Sequence, residues 1–221
     1  MTLSTLDKVA AQAARDLDGA RAEEVLGWAF ETFGARLAIA SSMETGVLAH
    51  LAGRVAPGVD VLFLDTGYHF AETLGTRDAI AASYDVTVVT LTSGRPDDRL
   101  YETDVDACCK ARKVDPLDSA LDSYDAWASG VRRAESPLRA ATPAVGWDAK
   151  RGKVKVNPLA AWTDDDLAAY VAEHGVLVTP LLLDGYPSIG CAPCTRRVAP
   201  GDDPRSGRWA GTSKTECGLH V

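Results

Sequence analysis

Residues 37–70 read LAIASSMETGVLAHLAGRVAPGVDVLFLDTGYHF, and this stretch decides the fold. It contains two short apolar runs, 37–40 and 59–64, and a third run follows at 86–91. The segments between the runs carry apolar residues at helical spacing. Strand–helix–strand–helix–strand at this spacing predicts a parallel sheet with helices packed on its faces. The predicted fold class is therefore α/β.

Polar residues follow the first two predicted strands at their carboxyl ends. Ser41 and Ser42 come after the first strand, and Asp65-Thr66-Gly67 comes after the second. Ligands of open α/β sheets bind beyond the carboxyl ends of the strands. We therefore expect these residues to lie near a ligand.

The rest of the chain extends this pattern on both sides. Residues 1–35 alternate charged and apolar residues at helical spacing, which predicts two amphipathic helices. A second strand pair is predicted around 144–147 and 153–156. Thr163 precedes three aspartates, a pattern typical of a helix start. From Val178 onward Gly, Pro and Arg are frequent and periodicity ends, which predicts a loop-built tail.

Length and composition predict one domain spanning residues 1–221, because 46% of the residues are hydrophobic and 24% are charged. The longest run without Asp, Glu, Lys or Arg is the 11 residues 185–195, whereas a spanning helix needs about 20 apolar residues. The N-terminus has acidic residues and lacks the apolar run of a signal peptide. We therefore expect a cytoplasmic protein without membrane contact. A net charge of −8 argues against general nucleic-acid binding.

The five cysteines are grouped rather than scattered. Cys108 and Cys109 are adjacent, Cys191 and Cys194 form a C-x-x-C pair, and Cys217 stands alone near the end. In a cytoplasmic chain such cysteines indicate metal ligands or reactive thiols rather than disulfides.

Two cysteine pairs could together form a four-thiolate site. Structural zinc usually takes ligand pairs at C-x₂₋₄-C spacing, and adjacent cysteines diverge around one small ion. A cubane cluster offers separate irons, so neighbouring cysteines can each bind one. The spacing therefore favours an iron–sulfur cluster, and it leaves zinc, a thioredoxin-like redox pair and buried thiols open.

Several short motifs together resemble the assimilatory adenylyl-sulfate reductases, the iron–sulfur branch of the family that reduces adenosine 5′-phosphosulfate (APS) or its 3′-phosphorylated relative. The motifs are CCKARKVDPL (108–117), SIGCAPCTR (188–196), ECGLH (216–220), LDTGYHF (64–70), GVRR (130–133), NPL (157–159) and RSGRW (205–209). The resemblance runs from about residue 36 to the end. It implies an adenine-nucleotide alpha-hydrolase-like fold in one domain.

The resemblance implies one 4Fe-4S cluster per chain. Its ligands would be Cys108, Cys109, Cys191 and Cys194, because in the family the double cysteine and the C-x-x-C pair bind one cluster. This resemblance favours the cluster over zinc, a thioredoxin-like redox pair and buried thiols, which the cysteine spacing alone leaves open.

The resemblance also implies that Cys217 is the catalytic nucleophile. Lys214 and His220 can favour the reactive thiolate, and His220 is assigned to the same site. A position near the chain end suits a nucleophile that must meet first a substrate and then a partner protein. We therefore expect a mobile catalytic tail at about 200–221.

Binding a phosphosulfate beside a thiolate requires positive charge. Two like charges about 4 Å apart repel by roughly 4 kcal/mol at an effective dielectric near 20. By resemblance, Lys113 links the cluster to the substrate and Arg205 and Arg208 bind the phosphosulfate, with a contribution from Arg132 or Arg133.

For the nucleotide, Ser41-Ser42 is similar to the modified phosphate loop of the family. Related ATP pyrophosphatases carry S-G-G-x-D-S at this place, whereas this chain reads SSMETG without a glycine pair, which disfavours ATP cleavage. Asp65, Thr66 and Gly67 are expected near the adenosine.

The implied activity is thioredoxin-dependent reduction of APS to sulfite and AMP in sulfate assimilation, which serves cysteine biosynthesis. Cys217 would form an S-sulfocysteine, and thioredoxin or a similar dithiol protein would release sulfite. One alternative is a reductase for the 3′-phosphorylated substrate or for both substrates. An alternative of another class is a cluster- or zinc-binding redox sensor without turnover. The sequence leaves the oligomeric state open.

Overall fold

The computed structural model describes residues 2–212, 214 and 216–219, with helices and strands that alternate along most of the chain. The helices are α1 (Leu3–Asp16), α2 (Ala22–Phe33), α3 (Val47–Val55), α4 (Ala71–Ser83), α5 (Val105–Cys109), α6 (Asp115–Leu121) and α7 (Asp164–His174). The strands are β1 (Leu37–Ala40), β2 (Asp60–Asp65), β3 (Thr87–Thr92), β4 (Ala126–Ser129), β5 (Val145–Asp148) and β6 (Lys153–Val156). Within the described ranges, every helix is too short or too polar to cross a membrane.

The six strands form one sheet in the order β3-β2-β1-β4-β6-β5. All neighbouring pairs are parallel except β5 and β6, which are antiparallel. In the register of the central strand, Ala38 lies opposite Asp60 of β2 and Trp127 of β4. The chain builds outward from β1 through β2 to β3 and then returns to the other side of β1. This reversal creates a switch point between β1 and β4, where parallel sheets bind ligands.

Side chains of β1 alternate between two cores, as the pleat of a strand requires. Leu37 and Ile39 are buried in the larger core, which α1, α2, α3 and α7 cover. Ala38 points to the opposite face, where Leu117 and Leu121 of α6 pack with Trp127. Helices therefore cover both faces of the sheet, which confirms the predicted α/β class.

Most predicted elements are confirmed. The helices expected within residues 1–35 are α1 and α2, and the three predicted strands agree with β1, β2 and β3 to within a residue at each end. The pair expected around 144–147 and 153–156 is the β5–β6 hairpin. Thr163 caps α7, because its hydroxyl accepts a hydrogen bond from the Asp166 backbone N–H at 3.1 Å.

Strand β4, by contrast, was not predicted. Its sequence is AWAS, in which Trp127 favours a strand but its small neighbours, alanine and serine, provide little strand preference. All four residues are buried, between β1 and β6 in the sheet and between helices on its two faces. Tertiary packing therefore fixes this strand.

The tail has the predicted loop character. In the described residues after Val178, regular structure is limited to short 3₁₀ turns at Pro180–Leu182 and Ala192–Cys194, with an isolated bridge between Thr195 and Arg208. Residues 216–219 return to the domain, and Leu219 packs against the smaller core, which contains Trp127. The mobility expected for residues 200–221 stays a prediction.

Candidate active site

A cavity of about 300 Å³ lies at the carboxyl ends of β1 and β4, at the switch point of the sheet. We call it the strand-end cavity. Ser41 and Ser42 line it after β1, and Ser129 and Gly130 line it at the end of β4. The structure therefore brings both predicted serines to the place where the topology favours a ligand.

The turn after β1 contains a residue in an unusual conformation. Met43 has a φ of 57°, a left-handed value that is rare outside glycine, and its side chain is fully buried. The Met43 backbone N–H donates a hydrogen bond to the Ser41 hydroxyl at 3.3 Å. The buried side chain thus stabilises a strained turn, and both Ser42 and Glu44 line the cavity.

Three predicted cationic residues meet in the strand-end cavity: Lys113, Arg205 and Arg208. Lys113 belongs to a wide π-helical turn, Lys110–Val114, directly after the double cysteine. Such widened turns are frequent at functional sites. Burial lowers the pKa of Lys113, but the negative charges of the Cys191 and Cys217 sulfurs outweigh burial and leave that pKa raised.

Arg208 is held tightly between neighbouring groups. Its guanidinium donates to the Ser188 hydroxyl at 3.1 Å and lies 4.6 Å from the centre of the Trp209 ring. A Cβ atom at Gly190 would come within 2.7 Å of this guanidinium, so glycine there is needed for the observed packing. Burial also lowers the pKa of Arg208.

The other two predicted arginines are engaged elsewhere. Arg132 lines the cavity, but its guanidinium donates to the Asp164 carboxylate at 2.8 Å. Arg133 donates to the Thr142 carbonyl at 2.8 Å and is outside the described lining of the cavity. Their role in substrate binding stays a prediction.

Cys217 is buried, with 8% of its surface exposed, and lines the strand-end cavity. A hydrogen bond from the protonated Cys109 thiol lowers the pKa of Cys217, and burial opposes this effect. The nearby Lys113 ammonium lowers the pKa further, and this effect does not depend on whether Cys109 binds a metal. The net direction is downward, which favours the thiolate, the nucleophilic form of cysteine.

All four cysteines of the two pairs line a second, smaller cavity, which we call the cysteine cavity. Cys108 and Cys109 end α5, whereas Cys191 directly precedes the turn Ala192–Cys194 and Cys194 is its last residue. The Thr66 hydroxyl lies 3.2 Å from the Cys191 sulfur. The sequence pairs, far apart in the chain, are thus adjacent in space.

The cysteine cavity has features that suit an anionic cluster. Arg112 and Arg208 line it, and the Nε atoms of both are buried without a hydrogen-bond partner among the described residues. Buried donors of this kind can bind thiolate or sulfide sulfur. Across residues 2–212, 214 and 216–219, no three His, Cys, Asp or Glu side chains are grouped closely enough to hold a metal ion. The four cysteines and the two buried arginine donors have the chemistry that an iron–sulfur cluster requires. Their arrangement in the described residues does not by itself show a metal site.

The loop after β2 contacts both cavities, because Thr66 lines the cysteine cavity and His69 lines the strand-end cavity. None of Asp65, Thr66 and Gly67 belongs to the described lining of the strand-end cavity. The Tyr68 carbonyl accepts a hydrogen bond from the Ala192 N–H at 2.7 Å, which packs this loop on the C-x-x-C turn. The expected position of Asp65, Thr66 and Gly67 near the adenosine stays a prediction. His220 lies outside the described residues.

Sequence reasoning missed several charged residues of the strand-end cavity region, among them Glu44, Arg139 and Glu216. Glu44 lies within the quoted SSMETG loop, and its carboxylate accepts a hydrogen bond from the Ile189 N–H at 3.1 Å. Arg139 lines the cavity and donates to the Glu216 carboxylate at 2.7 Å. Only the position of Glu216 beside Cys217 could have drawn attention to this pair.

A model of the phosphoadenosine phosphosulfate reductase domain family matches residues 36–197. The chain belongs to this family. It is similar to the adenosine 5′-phosphosulfate reductase of Streptomyces coelicolor, with 58% identity over 99% of this chain and 96% of the relative. It is also similar to that of Mycolicibacterium smegmatis, with 54% identity over 100% of this chain and 97% of the relative.

One solved structure supports the same family, and a second shares the fold. A phosphoadenylyl-sulfate reductase from Candida auris in a phosphate complex aligns with a TM-score of 0.71 and 26% identity, covering 83% of this chain and 94% of that chain. The FMN adenylyltransferase of Candida glabrata aligns with a TM-score of 0.60 and 12% identity, covering 89% and 76%. This second likeness concerns the fold alone.

Glu44 should make stability depend on pH. Burial raises its pKa to about 7, with Arg208 opposing the shift. A raised carboxyl pKa stabilises the fold below the unfolded value of about 4.3, and this contribution is lost as pH rises through about 7. Glu44→Gln keeps an acceptor for Ile189 without the charge. We expect the variant to match the wild type near pH 4.5 and to exceed it by about 3 kcal/mol near pH 8.

The measurement is the free energy of unfolding by denaturant for both proteins across this pH range. Parallel profiles for the wild type and the variant would contradict the raised pKa of Glu44.

Proposed function

We propose that this chain is a thioredoxin-dependent adenosine 5′-phosphosulfate reductase that forms sulfite and AMP in assimilatory sulfate reduction. Its relatives of that name are 58% and 54% identical over nearly the whole chain. The observation that carries the proposal is that the Cys217 sulfur shares one cavity with Lys113, Arg205 and Arg208 at the switch point of the sheet. A thiolate nucleophile and an anion-binding group thus meet where the fold favours a nucleotide.

In this proposal the nucleotide binds beyond β1 and β4, with Ser41 and Ser42 on its phosphate side. The phosphosulfate extends toward Lys113, Arg205 and Arg208. These cations offset the repulsion between the substrate and the thiolate, which is roughly 4 kcal/mol for two charges about 4 Å apart at a dielectric near 20. Arginine can bind an anion with two parallel hydrogen bonds, so it also orients the group.

The chemistry then proceeds in two transfers. The Cys217 thiolate attacks the sulfur of APS, the bond between that sulfur and the bridging oxygen breaks, and AMP leaves with the bonding electrons. The product is an S-sulfocysteine. A thiolate of the donor then attacks the Cys217 sulfur and sulfite leaves, after which the second donor thiol resolves the mixed disulfide. The two electrons that reduce the substrate come from the dithiol, so nicotinamide and flavin are not required.

We further propose one 4Fe-4S cluster per chain, with Cys108, Cys109, Cys191 and Cys194 as ligands. The shared cysteine cavity and the unpartnered Nε atoms of two arginines among the described residues support this assignment. These four thiolates would hold the cluster, which would add a compact charge close to the cations proposed to bind the phosphosulfate. The chain itself contributes Lys113, which lines both cavities.

The thiol chemistry favours a reducing compartment, and we propose a cytoplasmic location. All five cysteines are free. Unpaired cysteines of this kind persist where thioredoxin and glutathione keep thiols reduced. We expect neither nucleic acid nor membrane as a partner.

The function is tested by mixing the enzyme with APS in the absence of reductant. We expect a burst of AMP stoichiometric with the enzyme and a sulfonate on the peptide that contains Cys217, detected by mass spectrometry. Thioredoxin should then release sulfite. Cys217→Ser should bind APS without a burst, because a serine hydroxyl is scarcely ionised at neutral pH.

The same assay distinguishes the alternatives. Comparable kcat/KM for APS and its 3′-phosphorylated relative would establish a dual-substrate reductase. The sulfonate on another cysteine, or full turnover in the serine variant, would refute the mechanism. An absence of any AMP release from cluster-loaded protein would favour the redox sensor.

Cluster content provides a separate test. Protein purified without oxygen should be yellow-brown and contain iron and sulfide at about four per chain. Replacing any one of the four proposed ligands by serine should remove the colour and the sulfide, whereas Cys217→Ser should retain both. One zinc per chain without sulfide would show that the site is a zinc site instead.

A further inference from the structure

The carboxylate of Glu216 is enclosed by cationic and polar groups. Arg139 donates two hydrogen bonds to it, from Nε at 3.0 Å and from a terminal nitrogen at 2.7 Å. The Ser136 hydroxyl donates at 3.3 Å, and Arg205 forms an ion pair at 3.3 Å. Only 9% of the Glu216 side chain and 13% of the Arg139 side chain are exposed. Breaking a shielded, two-pronged pair of this kind is costly because it leaves both charges poorly solvated.

This pair joins distant parts of the chain. Arg139 ends the short 3₁₀ turn Pro137–Arg139 between β4 and β5, whereas Glu216 directly precedes Cys217. The ion pair therefore fixes the backbone next to the nucleophile. On the other side of Cys217, the Leu219 carbonyl accepts a hydrogen bond from Arg151 at 3.2 Å.

The proposed release of sulfite by the donor protein requires the Cys217 sulfur to be accessible rather than held in the cavity. A donor thiolate must reach the Cys217 sulfur, but only 8% of Cys217 is exposed. The active site of another protein cannot enter the strand-end cavity, so the segment that carries Cys217 must leave it. A docked and an undocked position of this segment are both needed in one catalytic cycle.

We propose that the interaction of Glu216 with Arg139 and Arg205 is a latch that holds the C-terminal segment docked and that its release exposes Cys217. This inference rests on the proposed function, which supplies the reason for exposure. Glu216 and Arg139 are positioning residues, since they act through the placement of Cys217. Arg205 belongs both to the latch and to the proposed phosphosulfate site. The same guanidinium therefore contacts the ligand and holds the C-terminal segment in its docked position.

The test measures how fast iodoacetamide alkylates Cys217 in cluster-loaded protein without APS or thioredoxin. Mass spectrometry of the C-terminal peptide gives the rate. We expect Glu216→Ala and Arg139→Ala each to accelerate alkylation at least about tenfold, since each removes a charge-assisted interaction that favours the docked state. The double variant should be no more than about twofold faster than the faster single variant, because both changes open the same latch.

The two single variants separate opening from simple electrostatics. Loss of the Glu216 charge alone would favour the Cys217 thiolate, whereas loss of the Arg139 charge alone would disfavour it. Only opening of the segment accelerates alkylation in both variants. Glu135→Ala is the matched control, because Glu135 is another carboxylate partner of Arg139 and is remote from the tail in sequence.

Alkylation at Cys191 and Cys194 reports on unfolding within the same samples. Local opening leaves these two cysteines unmodified, whereas loss of the fold modifies all five. Because the assay contains neither substrate nor donor protein, its result is independent of whether APS is reduced. An unchanged rate in Arg139→Ala, or an equal acceleration in Glu135→Ala, would overturn the latch.

Discussion

Cations crowded into one cavity repel one another, and the carboxylates between them make this arrangement possible. Two like charges about 4 Å apart cost roughly 4 kcal/mol at a dielectric near 20, a large share of the stability of a domain. Here Glu135 and Glu216 both pair with Arg139, and Glu216 also pairs with Arg205. The acidic balance of the whole chain is therefore compatible with a cationic site, because the site carries its own counter-charges. An anionic ligand enters a cavity whose cations are already positioned.

The topology explains why two different sites share residues. The strand-end cavity lies at the switch point between β1 and β4, and the cysteine cavity lies between α5 and the C-x-x-C turn of the tail. Lys113, Arg208 and Trp209 line both cavities. The π-helical turn that carries Lys113 directly follows the double cysteine, so one short segment serves both sites. A change at either cavity must therefore affect the charges of the other.

Sequence patterns predicted those parts of the molecule that depend on local chemistry. The short apolar runs of β1, β2 and β3 and the cap at Thr163 are local signals, and each is confirmed. Strand β4 was missed because AWAS acquires its conformation from neighbours on all sides. The cysteines and the cationic cluster were recognisable through motifs, but the partners Arg139 and Glu216 are 77 positions apart and meet only after folding. The loop at 65–67 was placed near the adenosine because ligands bind beyond the carboxyl ends of parallel strands. Two adjacent cavities lie at that edge of the sheet, and the sequence does not indicate which of them a loop contacts.

Glu216, the residue before the proposed nucleophile, raises an electrostatic question. A carboxylate beside Cys217 should raise the pKa of its thiol and repel a phosphosulfate. Burial would raise the pKa of Glu216, but the hydrogen bonds from Arg139 lower it below its ordinary value, so Glu216 remains charged and paired. The pair has no net charge, and its effect on the thiolate is correspondingly small. An alanine at this position would avoid the repulsion but would provide no anchor. A carboxylate whose charge is cancelled by an arginine from another part of the chain provides both neutrality and attachment. The attachment consists of side-chain contacts from Arg139, Arg205 and Ser136, so it can be broken without disturbing the core.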